Sequence, residues 1–192
     1  TAWNSAAYIQ ECLDSIASSL DSTEIRYDIF TVDNGSTDQT VEILKSYQEK
    51  QPEIFKPIFL VNNKGTTLSR NLGLMQATGR LLCVMDSDVV LSGGLFPPLL
   101  ERLDNDPGVG MVVPKIYYPS GNWQKSYDQY PTIVHKIRRF FRLRKMEAQE
   151  GTQEQKGTEA KPIDYAISAF WLFKREVLEA VGYLDEKIFY SP

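Results

Sequence analysis

Residues 81–91, LLCVMDSDVVL, decide how the fold is read. An apolar run of strand length breaks off at two carboxylates, Asp86 and Asp88, one residue apart. A strand sends side chains i and i+2 to the same face. If the chain stays extended, the two acids point the same way and repel, and a cation is needed to offset that. A run apolar on both faces suits a parallel strand covered on both sides. The carboxylates then stand at its carboxyl end, where open α/β sheets bind their ligands.

Working outward, the neighbouring segments alternate. Ile9, Cys12, Leu13, Ile16 and Leu20 keep helical spacing, with Asn4 or Ser5 as N-cap. YDIFTVD (27–33) reads as a strand running into the turn cluster NGSTD. Ser36 and Gln39 have capping-box spacing ahead of a helix that buries Val41, Leu44 and Tyr47. FKPIFLV (55–61) is a second strand, which Pro57 assigns to an edge or a late start. NNKGTT opens a helix with Leu68, Leu72 and Met75 inward, closed by Gly79. After the 81–91 strand, a short helix (95–104) and VGMVVP (109–114) complete another unit, and 163–189 adds a strand and a short helix. This order predicts an α/β domain with a mostly parallel sheet flanked by helices.

The chain has 192 residues, enough for one domain with a sizeable core. Its net charge of −4 argues against a nucleic-acid partner, which selects basic surfaces. Cys12 and Cys83 each sit in an apolar pattern and read as reduced core thiols of a cytoplasmic protein. No apolar run reaches the roughly 18 residues that span a bilayer, and no signal peptide is visible. HKIRRFFRLRK (135–145) interleaves cations with aromatics. It reads either as a solvated helix or as a peripheral contact with the anionic cytoplasmic membrane face or a polyprenyl-diphosphate acceptor. Residues 146–161, rich in Glu, Gln, Gly and Thr, read as a flexible loop.

Asp-x-Asp at a strand end suits a hard divalent cation, which prefers carboxylate oxygen and bridges to phosphate. Asp88 would bind it directly and Asp86 through water or a ribose; the alternative is a solvated turn. DNGSTD (33–38) is likewise an ordinary turn and helix start, or a place where the Asp33 carboxylate or the Asn34 amide reads a base-sized ligand. No Gly-x-Gly-x-x-Gly follows the strand, which weighs against a dinucleotide oxidoreductase. The lone His135, with no Cys or acid pair beside it, is not a metal ligand. Trp171 belongs to the core or walls an acceptor site.

TAWN, VDNGSTDQTVEIL, NNKGTTLSRNLGLMQATGRLLCVMDSDVVL and GYLDEKIFYSP, in this order and spacing, resemble family-two glycosyltransferases of the GT-A fold. The resemblance covers nearly the whole chain, with the basic and polar middle matched loosely and closest to the rhamnosyltransferase-like branch. It implies a single GT-A domain over 1–192, incomplete at both ends: the first strand would precede Thr1, and an acidic pair would follow Pro192. It implies that Thr1 and Trp3 border a nucleobase and that Asn34 bonds a pyrimidine edge. Arg70 would pair with phosphate or fix the acidic residues, with Asp86 and Asp88 holding ribose and a Mn²⁺- or Mg²⁺-bound diphosphate. A divalent ion between carboxylates and diphosphate removes the repulsion posed at the start. The catalytic base would lie beyond Pro192, and Asp185 in GYLDE would be a structural turn residue instead.

The implied activity is inverting, metal-dependent transfer of a sugar, with rhamnose the specific guess, from a nucleotide-sugar donor to a glycan or polyprenyl-linked hydroxyl. Two other readings stay open. A sugar nucleotidyltransferase would need a Gly-rich triphosphate loop near the start of the chain. A noncatalytic nucleotide-sugar-binding domain would keep Asp86 and Asp88 but lack the base.

Overall fold

The computed structural model describes residues 1–20, 23–128 and 160–190. The chain forms two compact units, Thr1–Val113 with Ser168–Pro192, and Pro114–Ile167.

In the first unit, α1 (Ile9–Leu20) is followed by β1 (Val32–Asp33), α2 (Thr40–Lys50), β2 (Ile58–Phe59), α3 (Thr66–Gln76), β3 (Leu81–Met85), α4 (Phe96–Asn105) and β4 (Met111–Val112). β1 and β2 pair in parallel, and Ala2 adds a parallel bridge to Asp33 on the other edge of β1. The regular part of β1 is short, yet backbone bonds from Ile29, Thr31 and Asp33 to the 54–60 segment extend the pairing along the predicted 27–33 run. The late C-terminal strand (Phe170–Lys174) enters antiparallel between β3 and β4, followed by a helix (Arg175–Val181). Parallel pairing therefore belongs to β1, β2 and the bridges beside them, while β3, the Phe170–Lys174 strand and β4 form a separate antiparallel sheet. β4 lies beside the Phe170–Lys174 strand because Phe173 and Leu172 pair with Met111 and Val112.

Three apolar clusters hold this unit. Ile9 and Leu13 of α1 pack on Leu44 and Phe55; Leu103 and Phe96 of α4 pack on Phe170 and Leu172; Leu74 of α3 packs on Leu82, Val84 and Phe173. Each fully buried Leu or Phe contributes about 1.5–3 kcal/mol relative to exposure.

Several local expectations change. The expected capping box does not form: Gln39 is the N-cap of α2 without a side-chain bond, and Asp38, one residue ahead, accepts the Thr40 N–H on its Oδ1 at 3.0 Å. The Ser36 hydroxyl instead accepts the Asn4 N–H at 2.8 Å. On α3 the buried residues are Thr67, Ser69, Arg70, Asn71 and Leu74, whereas Met75 is exposed. The inward face is polar because it meets the strand ends and the 184–186 turn, where Ser69 bonds Gly65, Arg70 bonds Asp86 and Ser168, and Asn71 bonds Leu184 and Glu186. α3 closes at Ala77, whose N–H bonds the Gly73 carbonyl, two residues before Gly79. Cys12 is buried, but Cys83 is exposed.

The second unit contains two antiparallel ladders. β5 (Ile116–Tyr117) pairs with β6 (Trp123–Gln124), and β7 (Tyr127–Asp128) pairs with β8 (Tyr165–Ala166). In chain order the Phe170–Lys174 strand is β9 and the Arg175–Val181 helix is α5. The basic 135–145 segment with its membrane contact, His135 and all but the end of 146–161 lie outside the described residues. Among the described residues, no helix is long and apolar enough to cross a membrane.

Candidate functional site

The site assembles at the carboxyl ends of β1 and β3. Ala2 donates to the Val32 carbonyl at 2.9 Å and accepts from the Asn34 N–H at 2.8 Å, so TAWN runs alongside β1. Asn4 adopts a left-handed conformation, φ 49°, and its side-chain oxygen accepts the Thr37 N–H at 2.9 Å. Asx side chains tolerate that conformation and bond nearby backbone, which explains Asn at this position. The Ser5 and Ser87 hydroxyls lie 3.0 Å apart. That bond ties the segment beside Asp33 to the loop that carries Asp86 and Asp88, so one crevice receives both polar clusters.

Asp33 is buried at 1% exposure. Its Oδ2 accepts the Ser36 N–H at 3.1 Å, while its Oδ1 is buried with no partner. Buried polar atoms are normally paired, so the orphaned oxygen marks an acceptor waiting for a donor. Asn34 differs. Its NH₂ group donates to Asn63 Oδ1 at 2.9 Å and to the Gly65 carbonyl at 3.2 Å, and its oxygen accepts the Lys64 N–H at 2.8 Å. Both amide hydrogens and one acceptor site hold the 63–65 loop. The Asn34 amide is thus an internal loop anchor, and the oxygen left without a partner is Oδ1 of its neighbour Asp33. Trp3 is 55% exposed and leaves a broad aromatic face open. Thr1 Oγ1 is a second buried oxygen without a partner.

Arg70 is buried, with one amino group 2.8 Å from Asp86 Oδ1 and 2.8 Å from Ser168 Oγ. Its guanidinium also lies over the Trp171 ring, 5.9 Å from the centroid. Of the two roles the sequence left open, this geometry corresponds to fixing an acidic residue. Trp171 is half-buried, neither sealed core nor free wall. Ser168, about a hundred positions from Arg70 and in no local pattern, is absent from the sequence reading, and Trp171, expected as core or acceptor wall, lies against the Arg70 guanidinium. Asp88 is exposed and makes no hydrogen bond or ion pair with a described residue. The couplet is thus divided: Asp86 is anchored with a cation beside it, and Asp88 is free.

Among the described residues no cluster of three or more His, Cys, Asp or Glu side chains could cage a metal. Two carboxylates, one of them already sharing an oxygen with Arg70, suit a hard cation only when other oxygens complete its shell. The donor set fits an ion that arrives with a diphosphate. Cys12, close to this end of β3 through a 3.7 Å contact from its thiol to the Asp86 carbonyl, has its pKa pushed up to about 12 by burial. It stays a neutral thiol. Asp185 accepts the Lys187 N–H at 3.0 Å within a turn, and the flanking Leu184 and Glu186 are held by Asn71.

The Glycosyl transferase family 2 profile matches residues 1–182. The chain belongs to that family. The poly-beta-1,6-N-acetyl-D-glucosamine synthase of Staphylococcus epidermidis is 28% identical over 186 residues, 95% of this family-two chain and 40% of the relative. Staphylococcus aureus TarS 1–349, solved in complex with UDP, superposes with a TM-score of 0.66 at 19% identity, over 98% of this chain and 49% of that one. Mannosyltransferase PcManGT from Pyrobaculum calidifontis, solved with GDP-Man and Mn²⁺, gives 0.55 at 24% identity, over 97% and 46%. The fold is the GT-A α/β fold. The chain spans about half the length of these solved chains, and less of the synthase.

Proposed function

We propose that this domain binds a nucleoside diphosphate sugar and transfers the sugar, with inversion, to a hydroxyl of a glycan or lipid-linked acceptor. The observation that carries the reading is the unpartnered Asp33 Oδ1, on the residue paired with Ala2 next to the exposed Trp3, at the crevice that also holds Asp86 and Asp88. An acceptor oxygen matches the N3–H of a pyrimidine, and the indole offers a stacking wall. Asp86, held by Arg70, is placed for ribose or metal-bound water, and Asp88 for the metal itself. Mn²⁺ or Mg²⁺ held there would neutralise the diphosphate and stabilise the charge that grows on it as the sugar leaves. The acceptor hydroxyl needs a base; Asp185 accepts the Lys187 N–H within its turn, which favours the structural role expected of it. The UDP and GDP-Man complexes of the structural relatives, one of them with Mn²⁺, support the donor class, and the synthase supports a polysaccharide as acceptor. A rhamnosyl donor is the narrower proposal.

The test is a thermal-shift screen of nucleotide sugars with and without Mn²⁺. A ligand present at about a hundred times its Kd stabilises by roughly 2.7 kcal/mol. Stabilisation by one donor only when metal is present supports the reading; stabilisation by nucleoside triphosphates alone would favour a nucleotidyltransferase. Metal-dependent donor binding with no turnover in a polypeptide that includes the residues after Pro192 would favour a noncatalytic binding domain.

A further inference from the structure

The loop that follows β3 is sparsely anchored. At its start Asp86 is fixed by Arg70 and by its own N–H, which donates to the Ala169 carbonyl at 3.1 Å. At its end the Leu91 N–H donates to Ser15 Oγ of α1 at 3.0 Å. Between these points, residues 87–90 make one hydrogen bond among the described residues, the 3.0 Å bond between the Ser87 and Ser5 hydroxyls. Asp88 and Val90 are exposed and Val89 is only partly buried, so burial adds little to the hold. Segments with few buried contacts and few hydrogen bonds lie at the low-stability end of a fold. The place of this turn therefore depends on a single hydroxyl.

Ser5, in contrast, is fixed. Its N–H donates to Thr40 Oγ1 at 2.8 Å, and its carbonyl accepts the Tyr8 and Ile9 N–H groups at 2.9 Å. Thr40 is fully buried and donates its hydroxyl to Asp38 Oδ1, while Asp38 Oδ2 accepts the Ala6 N–H. Ser5 Oγ also accepts the Trp3 N–H at 3.2 Å. With its backbone engaged on both sides, Ser5 cannot follow the loop. The loop follows Ser5.

We infer that Ser87 is a positioning residue, whose hydroxyl, through Ser5, holds Asp88 at a set place relative to Asp86 and to Trp3. Asp88 makes no bond of its own among the described residues, so its place comes from the backbone of Ser87. Asp86 needs no such help, because Arg70 holds its carboxylate directly. Trp3 and Asp88 share one bridge, from the Trp3 N–H to Ser5 Oγ to Ser87 Oγ. The consequence for the ligand rests on the nucleoside diphosphate reading. The base end and the diphosphate end of one ligand must be met together, and a turn already ordered pays less entropy on binding.

Nitrogen-15 relaxation tests the latch without any ligand. The Asp88 and Val89 amides of the parent chain should be rigid, with order parameters near about 0.8, and Ser87→Ala should lower them below about 0.6. Ser87→Thr, which keeps the hydroxyl, should restore them. Ser36→Ala is the control, because it removes the hydroxyl that accepts the Asn4 N–H and should leave residues 87–90 unchanged. Order parameters that stay high in Ser87→Ala, or are already low in the parent, overturn the inference.

Titration of Mn²⁺ in the presence of UDP, followed by thermal shift, reads the consequence. Ser87→Ala should raise the Mn²⁺ concentration at half-maximal stabilisation about fivefold, as expected for one lost hydrogen bond. Its affinity for UDP without metal should stay that of the parent. The double variant Ser5→Ala/Ser87→Ala should match Ser5→Ala alone, since both changes remove the same bond. An unchanged Mn²⁺ midpoint, an equal loss of metal-free UDP affinity, or losses that add in the double variant overturn the inference. Absence of any Mn²⁺-dependent stabilisation by UDP in the parent sinks the nucleoside diphosphate reading instead, and the order parameters still decide the latch.

Discussion

Arg70 and Asp86 form a 2.8 Å ion pair in which the guanidinium is 4% exposed and the carboxylate 36% exposed. The cation is held inside and the acid faces the crevice, so the pair works as a bracket for one oxygen of Asp86. Ser168 and Trp171 brace the same guanidinium.

The two acids of the couplet should therefore separate in mutants. Asp86→Asn weakens a charge-assisted bond to a buried cation and should cost about 1–3 kcal/mol of stability as well as donor binding. Asp88→Asn removes an exposed, unpartnered carboxylate and should change stability by less than about 0.5 kcal/mol, yet abolish the metal-dependent part of donor stabilisation. Denaturation midpoints and Mn²⁺-dependent thermal shifts on both variants measure the split. Equal effects from the two variants would show that the couplet acts as a unit.

Asp33→Asn keeps shape and, with its amide oxygen on the Ser36 N–H, presents an NH₂ donor where Oδ1 stood. Pyrimidine nucleotide affinity should fall at least about tenfold, which is 1.4 kcal/mol, and purine nucleotides should not show the same loss. Calorimetric titration with UDP, dTDP and GDP reads this directly. Asn34→Asp, by contrast, should act through stability, because it replaces an NH₂ donor to Asn63 and Gly65 by an acceptor facing two acceptors.

The order of helices and strands was legible because apolar periodicity is local: α1, α4 and the 81–85 strand follow from their own residues. The antiparallel entry of β9 was not, since its pairing with β3 joins residues about ninety positions apart. The inward face of α3 was misread for a related reason. Leu68, Leu72 and Met75 obey the helical pattern, but that helix packs against strand ends whose polar groups select Ser69, Arg70 and Asn71. At the site, motif order placed Asp33, Asp86 and Asp88 on two strand ends. Which member of each pair is free and which is braced depends on Asn63, Ser168 and Trp171, supplied from distant loops and strands.

Acid should loosen the start of α2. The Thr40 hydroxyl, 2.5 Å away, is the main cause that holds the Asp38 carboxyl below its ordinary value, with the Ala6 and Thr40 N–H groups adding to it. The folded state thus prefers the ionised acid. Its stabilisation is complete above the unfolded pKa and is lost as pH falls through that value, from about pH 5 downward, toward the lower folded one. Tm measured between pH 7 and 3 should fall less steeply for Asp38→Asn than for the parent chain, and Thr40→Val should lie between them.

Gly65 offers the sharpest structural test. It precedes α3 with φ 88°, and a Cβ there would sit 2.2 Å from the Phe189 carbonyl oxygen. That carbonyl accepts the Thr66 N–H at 2.9 Å, so the 189 segment lies directly on the first turn of α3. The Gly65 carbonyl also receives the Asn34 amide and the Ser69 hydroxyl. Gly65→Ala combines a disfavoured left-handed backbone with a clash against backbone that cannot swing away, and should cost about 2–3 kcal/mol. The loss should be accompanied by faster amide exchange at Thr66 and by weaker nucleotide binding, because the loop that Asn34 anchors shifts with it. Gly94→Ala is the control: its φ is 75° but nothing lies within 4 Å of the added Cβ, so it carries the backbone cost alone. If the two variants lose equal stability in urea titrations, the Phe189 contact is not what demands glycine at position 65.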